Sequence, residues 1–306
     1  MRRFVISTAF LLLLTGFAGT RLARAQGQGP QQAATSQNGA AATPAGYVGQ
    51  DTCATCHGDV VKNFAGNPHA RLAYQHNGHG VTCEGCHGPG QAHVEGGGDI
   101  TKIRHFDKLT PQQINETCQG CHAGVHPNYQ RGPHARAGLS CLSCHNVHKP
   151  KVEQNLLVAS EPQLCFQCHT DVKPNFDMPF HHPVNEGVVK CSDCHDVHGT
   201  FGPNNLRATV DQNMICTKCH NDVRGPFVYE HAAVRAEGCL GCHSPHGSPN
   251  PRMLNMPSVN TLCNQCHSRV AAGTVHGMNS GSDELQPCTS CHTYIHGSNI
   301  NAAFLR

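Results

Sequence analysis

Apolar side chains are concentrated at the start of the chain and thin out afterwards. Arg2 and Arg3 precede an apolar run from Phe4 to Gly19 that holds four consecutive leucines, and Ala23-Arg24-Ala25 follows as an Ala-x-Ala site. This pattern predicts a secretory signal over residues 1–25. The run is shorter than the roughly 20 residues that span a bilayer, which argues against a retained anchor. No cysteine near the cleavage site offers a lipid attachment. Residues 26–48 are rich in Gln, Ala, Gly, Ser and Thr and nearly empty of large apolar residues, so a disordered leader is expected there.

From Gly49 onward the pattern is a recurrence of helix starts and turns. Thr110-Pro111, Ser160 with Gln163, Asp211 and Ser258 are helix-start signals. Gly80, Gly138, Gly187 and Gly238 are turn signals. The segment Arg131-Gly132-Pro133 recurs as Arg224-Gly225-Pro226. Five repeats result, at about 49–105, 106–158, 159–209, 210–257 and 258–306, within one domain covering 49–306. Duplicated modules in a row predict an elongated stack in which each contacts mainly its neighbours, built of loops and short helices with little or no sheet.

Composition then limits what can fill the interior. Aromatic residues are 5% of the chain and Trp is absent, too few for an ordinary core of this length. Formal net charge is +2, and loss of Arg2, Arg3, Arg21 and Arg24 with the signal leaves 18 basic against 20 acidic residues. No basic patch suited to nucleic acid is present.

The cysteines supply the missing core. All 20 fall into Cys-x-x-Cys pairs: Cys53 and Cys56, Cys83 and Cys86, Cys118 and Cys121, Cys141 and Cys144, Cys165 and Cys168, Cys191 and Cys194, Cys216 and Cys219, Cys239 and Cys242, Cys263 and Cys266, and Cys288 and Cys291. Each pair is followed directly by a histidine: His57, His87, His122, His145, His169, His195, His220, His243, His267 and His292. Two thiols at this spacing add to the two vinyl groups of a haem, and the next residue places an imidazole under the iron. A zinc ribbon or a disulfide framework has no need of histidine after every pair. The pattern therefore predicts ten covalent c-type haems, each module holding an odd and an even motif, with about 26 residues per haem.

Each module also carries two further histidines. The first precedes the even motif: His69, His134, His182, His231 and His276. The second trails it: His93, His148, His198, His246 and His296. These ten are the expected distal ligands, giving bis-histidine, low-spin, low-potential irons with no open position. A trailing histidine is not expected to serve its own motif, since imidazoles on opposite faces of one iron hold their Cα atoms about 12 Å apart and three residues reach about 10 to 11 Å. His296, four residues past His292, is the least constrained. His76, His79, His105, His126 and His181 are left for solvated positions. The methionines occupy no repeated slot and are read as packing residues.

The chain resembles the decahaem cytochromes of the MtrA, PioA and DmsE family over essentially all of residues 49–306. The resemblance rests on Cys83-Glu84-Gly85-Cys86-His87-Gly88-Pro89, on Arg224-Gly225-Pro226 through Glu230-His231 to Ser244-Pro245-His246-Gly247-Ser248, and on His296-Gly297-Ser298-Asn299. The Gln/Ala-rich leader departs from the family. The resemblance implies an exported periplasmic protein associated with the outer membrane inside a β-barrel porin, carrying electrons for extracellular electron transfer. Its implied partners are that porin, a periplasmic donor or acceptor cytochrome, and an extracellular multihaem cytochrome or terminal reductase. Ten haems edge to edge make a row on the order of 90 Å, against roughly 40 to 45 Å for a bilayer. The alternatives are a soluble periplasmic carrier and a multihaem reductase, although reductases need an iron with a vacant face and no Cys-x-x-Cys-Lys occurs.

Overall fold

A computed structural model describes residues 45–75, 82–207, 211–267 and 286–306. The predicted signal, most of the leader, and His76, His79, Gly80 and His276 lie outside the described residues. Residues 43–306 form one compact unit.

The elements are short because the chain is interrupted every few residues by a turn or a motif. Among the described residues the longest helices are Gln50–Phe64, which carries the first motif, and Pro111–His122, which carries the third. The latter opens as predicted: the Thr110 hydroxyl accepts from Gln113 N while the Gln113 side chain accepts from Thr110 N. Ser258 likewise caps Val259–Cys263, and the Asp211 carboxylate accepts from Asn213 N at the start of Asn213–Thr217. The third module differs. Ser160 bonds the Gln163 side chain, but helix Gln163–Phe166 starts only after Pro162, which has no N–H to contribute to an earlier turn.

Each even motif is a single short turn: Cys83–His87, Cys141–Ser143, Cys191–Cys194, Cys239–Gly241 and Cys288–Ser290. Their starts are held by the odd helices. The Asn115, Asn213 and Asn260 side chains accept from the backbone N–H of Cys141, Cys239 and Cys288 at 2.8, 2.9 and 2.9 Å. In the third module a carboxylate does this work, Glu161 accepting from Ser192 N. In the first, the roles reverse: the buried Glu84 of the even motif accepts from Val48, Gly49 and Gly90.

After the even motif the backbone turns through left-handed pairs, Asn155-Leu156, Asn204-Asn205 and Arg252-Met253. It then bridges back, Leu157 to His145, Leu206 to His195 and Leu254 to His243. Among the described residues β structure is limited to such isolated bridges. Side-chain core is equally sparse, with Phe64, Ala70, Ile114, Tyr129, Leu156, Phe176 and Val184 as the buried apolar residues.

Candidate haem-binding sites

The chain encloses a cavity of about 4440 Å³ lined by motif cysteines from Cys86 to Cys291 and by Tyr129, Leu139, Leu156 and Val184. Along it, histidine rings face one another in pairs. His57 faces His93 at a centroid separation of 6.4 Å. His69 faces His122 at 5.9 Å, His134 faces His169 at 6.1 Å, His182 faces His220 at 6.2 Å, and His231 faces His267 at 6.2 Å. His148 faces His87 at 6.0 Å, His198 faces His145 at 6.1 Å, His246 faces His195 at 6.0 Å, and His296 faces His243 at 6.3 Å. Imidazole nitrogens bond a metal at about 2.0 to 2.1 Å, which puts two rings on opposite sides of one ion roughly 6 Å apart. Every pair fits that spacing.

The pairing follows one rule at all four junctions between modules. The histidine ahead of an even motif reaches forward to the odd motif of the next module. The trailing histidine of that next module reaches back to the even motif just left. At the N-terminal end, where no module precedes, the trailing His93 turns to His57. None of these trailing rings pairs with the motif directly before it in sequence. His276 lies outside the described residues.

Nine of the motif and partner histidines are oriented by a hydrogen bond from Nδ1. Nδ1 of His87, His145, His195, His243 and His292 donates to the carbonyls of Arg104, Asn155, Asn204, Arg252 and Ala303. Three of these carbonyls belong to the left-handed turns, whose function is thereby explained. Nδ1 of His93 donates to Asp99 O, that of His134 to Val197 O, and that of His182 to Pro245 O. The last two acceptors immediately precede the trailing histidines His198 and His246, so one bond ties together both ligands of a junction. At the first junction Asn67 relays the same tie, accepting from His69 Nδ1 at 3.1 Å and donating to Val147 O at 2.6 Å. Nδ1 donation fixes the tautomer that leaves Nε2 as the ligand atom. Burial also lowers the pKa of His69, His148, His231, His246 and His296. His198 is pushed down to about 4, first by burial and then by His126 and His145. Neutral imidazoles are what a metal requires.

The histidines expected to be solvated divide. His181 spends its ring nitrogens on Met178 O and the Glu186 carboxylate, which favours its neighbour His182 as ligand. His126 departs from the expectation: it is half-buried and stacks on His198 at 3.8 Å.

The cysteines form a second continuous series. Their thiols stand for the thioether sulfurs of attached haem. The Cys118, Cys165 and Cys216 thiols are held up chiefly by hydrogen bonds to Cys141, Cys191 and Cys239. Cys53 and Cys263 are pushed up to about 11 by burial first, then by Cys83 and Cys288. Across the junctions, burial raises Cys86, Cys144, Cys194 and Cys242, with further contributions from Cys118, Cys168, Cys219 and Cys266 respectively. Adjacent motifs are thus electrostatic neighbours, in sequence order, from first to tenth.

The doubled CXXCH motif family matches residues 133–174, 181–225 and 231–272. A multiheme cytochrome MtrA from Shewanella baltica is 33% identical over 82% of this chain and 79% of its own length. The chain belongs to the MtrA family of multihaem cytochromes. Geobacter sulfurreducens C-type polyheme cytochromes are also similar: OmcC at 25% identity over 80% of this chain, and OmcB at 26% over 57%. This chain spans 37% and 25% of their lengths. As a member of the MtrA family the protein carries covalent c-type haems, about ten, and transfers electrons rather than catalysing a reaction on a substrate.

Sequence reasoning missed three sets of residues: the turn carbonyls, the asparagines at the even motifs, and the junction glycines treated below. The asparagines had a signal, since Asn115, Asn213 and Asn260 each stand three residues before an odd motif.

Proposed function

We propose that this cytochrome conducts electrons across the outer membrane inside a β-barrel porin, between a periplasmic redox partner and an extracellular one. The unbroken sequence-ordered series of neighbouring motifs, nine of them facing a paired imidazole among the described residues, carries this reading. In it, each of the ten Cys-x-x-Cys-His motifs would hold one haem, and the ring pairs would supply its imidazole ligands. His57 is joined by His93, His87 by His148, His122 by His69, His145 by His198 and His169 by His134. His195 is joined by His246, His220 by His182, His243 by His296, and His267 by His231. His276 is left for His292. When bound, each haem supplies a one-electron Fe(III)/Fe(II) couple. The protein's part is to close both faces of each iron, hold neighbouring motifs together and exclude water.

Among the described residues no helix is long and apolar enough to cross a membrane. Exposed loop backbone has no hydrogen-bond partners in lipid, so a membrane path needs a closed sheath around the chain. The predicted signal agrees with export, and the terminal modules, around Cys53 to His93 and Cys263 to His296, are the docking ends. Liposomes enclosing a redox dye provide the test. With cytochrome and porin inserted, an external reductant should change the dye, and porin alone should not. Unresponsive sealed liposomes, with a cytochrome that never co-purifies with a barrel, would leave the soluble periplasmic carrier in its place.

A further inference from the structure

The contact that holds the start of the even motif is charged in the central module and neutral in three others. It also comes from a shifted position: Glu161 lies four residues before Cys165 and takes Ser192 N, whereas Asn115, Asn213 and Asn260 lie three residues before their odd motifs and take the first cysteine's N–H. In the second, fourth and fifth modules the side chain holding the start of the even motif is an amide, from Asn115, Asn213 or Asn260. In the central module it is the carboxylate of Glu161. A carboxylate oxygen of Glu161 and the Cys165 and Cys191 sulfurs all lie within 4.8 Å of one another. These are the first sulfurs of the central module's two motifs, so one charge touches two attachment points at once. The carboxylate accepts through both oxygens, from Ser192 N at 3.0 Å and Ser192 Oγ at 2.9 Å, the acceptor-only role of an ionised carboxyl group. The cluster is not a free metal site, because both sulfurs belong to haem-attachment motifs.

We propose that Glu161 is a potential-setting residue, whose negative charge holds the two haems of the central module at lower reduction potential than an amide there would. This rests on the reading that each motif carries a haem within an electron path. The argument is Coulombic: reduction adds an electron to each centre, and a fixed negative charge beside it opposes that addition, more strongly where burial lowers the local dielectric. Glu161 is half-buried. Arg207 donates to Ser192 O from an exposed position, where solvent screens its charge. In the first module the buried Glu84, which accepts from Val48, Gly49 and Gly90, also sets a carboxylate beside Cys53, so the same Coulombic argument applies there. An electron passing along the row thus meets a charge-tuned step at its middle.

Spectroelectrochemical titration of the mature holoprotein tests this with two opposite variants. Glu161→Gln keeps an acceptor for Ser192 and should move about one fifth of the total haem absorbance change to more positive potential. Asn115→Asp should move a similar share, that of the haems at Cys118 and Cys141, to more negative potential. Intact mass establishes that both variants retain their haems. Potentials unchanged in both fully loaded variants, or shifted in the wrong direction, overturn the proposal. Dye reduction in liposomes, measured separately, reports on conduction, so the failure of one reading is distinguishable from the failure of the other.

Discussion

At the scale of single residues, a histidine's place in the sequence says little about which iron it serves. His246 lies three residues after His243, yet its ring faces His195, a module earlier. Replacing His246 by alanine should therefore leave one haem in ten high-spin, the one attached at Cys191 and Cys194. The haem at Cys239 and Cys242 should keep its spin state. Near-infrared magnetic circular dichroism and electron paramagnetic resonance read the high-spin fraction, and perturbation of the Cys216 or Cys239 haem instead would contradict the pairing. His231→Ala should by the same logic affect the haem at Cys263 and Cys266, since its ring faces His267. Burial already favours the neutral form of these imidazoles, so coordination selects a state the fold prepares.

At the scale of elements, the third and fourth junctions between modules are stapled backbone to backbone. Phe180 and Ser248 exchange hydrogen bonds across the third junction, and Tyr229 and Ser298 do so across the fourth. Between them and the trailing histidines stand Gly247 and Gly297, with φ of 151 and 144 degrees. A Cβ on Gly247 would collide with the Asn175 carbonyl of the preceding module, and one on Gly297 with the Phe227 ring. Gly247→Ala should cost about 1 to 3 kcal/mol through strain and displaced backbone, seen as a lower melting temperature of the holoprotein. Gly124→Ala is the control: nothing lies within 4 Å of its Cβ position, and its melting temperature should change little.

For the whole molecule, the ring pairs cross from module to module, so under the proposed ligation no internal module is complete alone. Each junction is shared between a motif of one module and a histidine of the next. A chain ending at residue 257 should carry eight haems by intact mass, against ten for the full mature protein. One of the eight, at Cys239 and Cys242, should be high-spin because His296 is gone. Autonomous modules would instead give eight six-coordinate haems. The same crossing explains how a chain with so few buried apolar side chains holds together. In the proposed ligation, iron–imidazole bonds would stand in for hydrophobic burial, and they would do so between modules.

The haem chemistry and the repeated doubled motif were legible in the sequence. Covalent attachment demands residues at fixed spacing along the chain, and a local constraint leaves a local pattern. The capping of Pro111–His122 was legible for the same reason, since a capping box spans three residues. Which histidine meets which motif was not. Both partners of a ring pair are set by the carbonyls that the left-handed turns aim at motif histidines and by how consecutive modules cross, and that crossing joins residues dozens of positions apart. Chain reach could exclude the nearest motif for a trailing histidine, but only the tertiary structure decided that His148 meets His87 while His69 goes forward to His122.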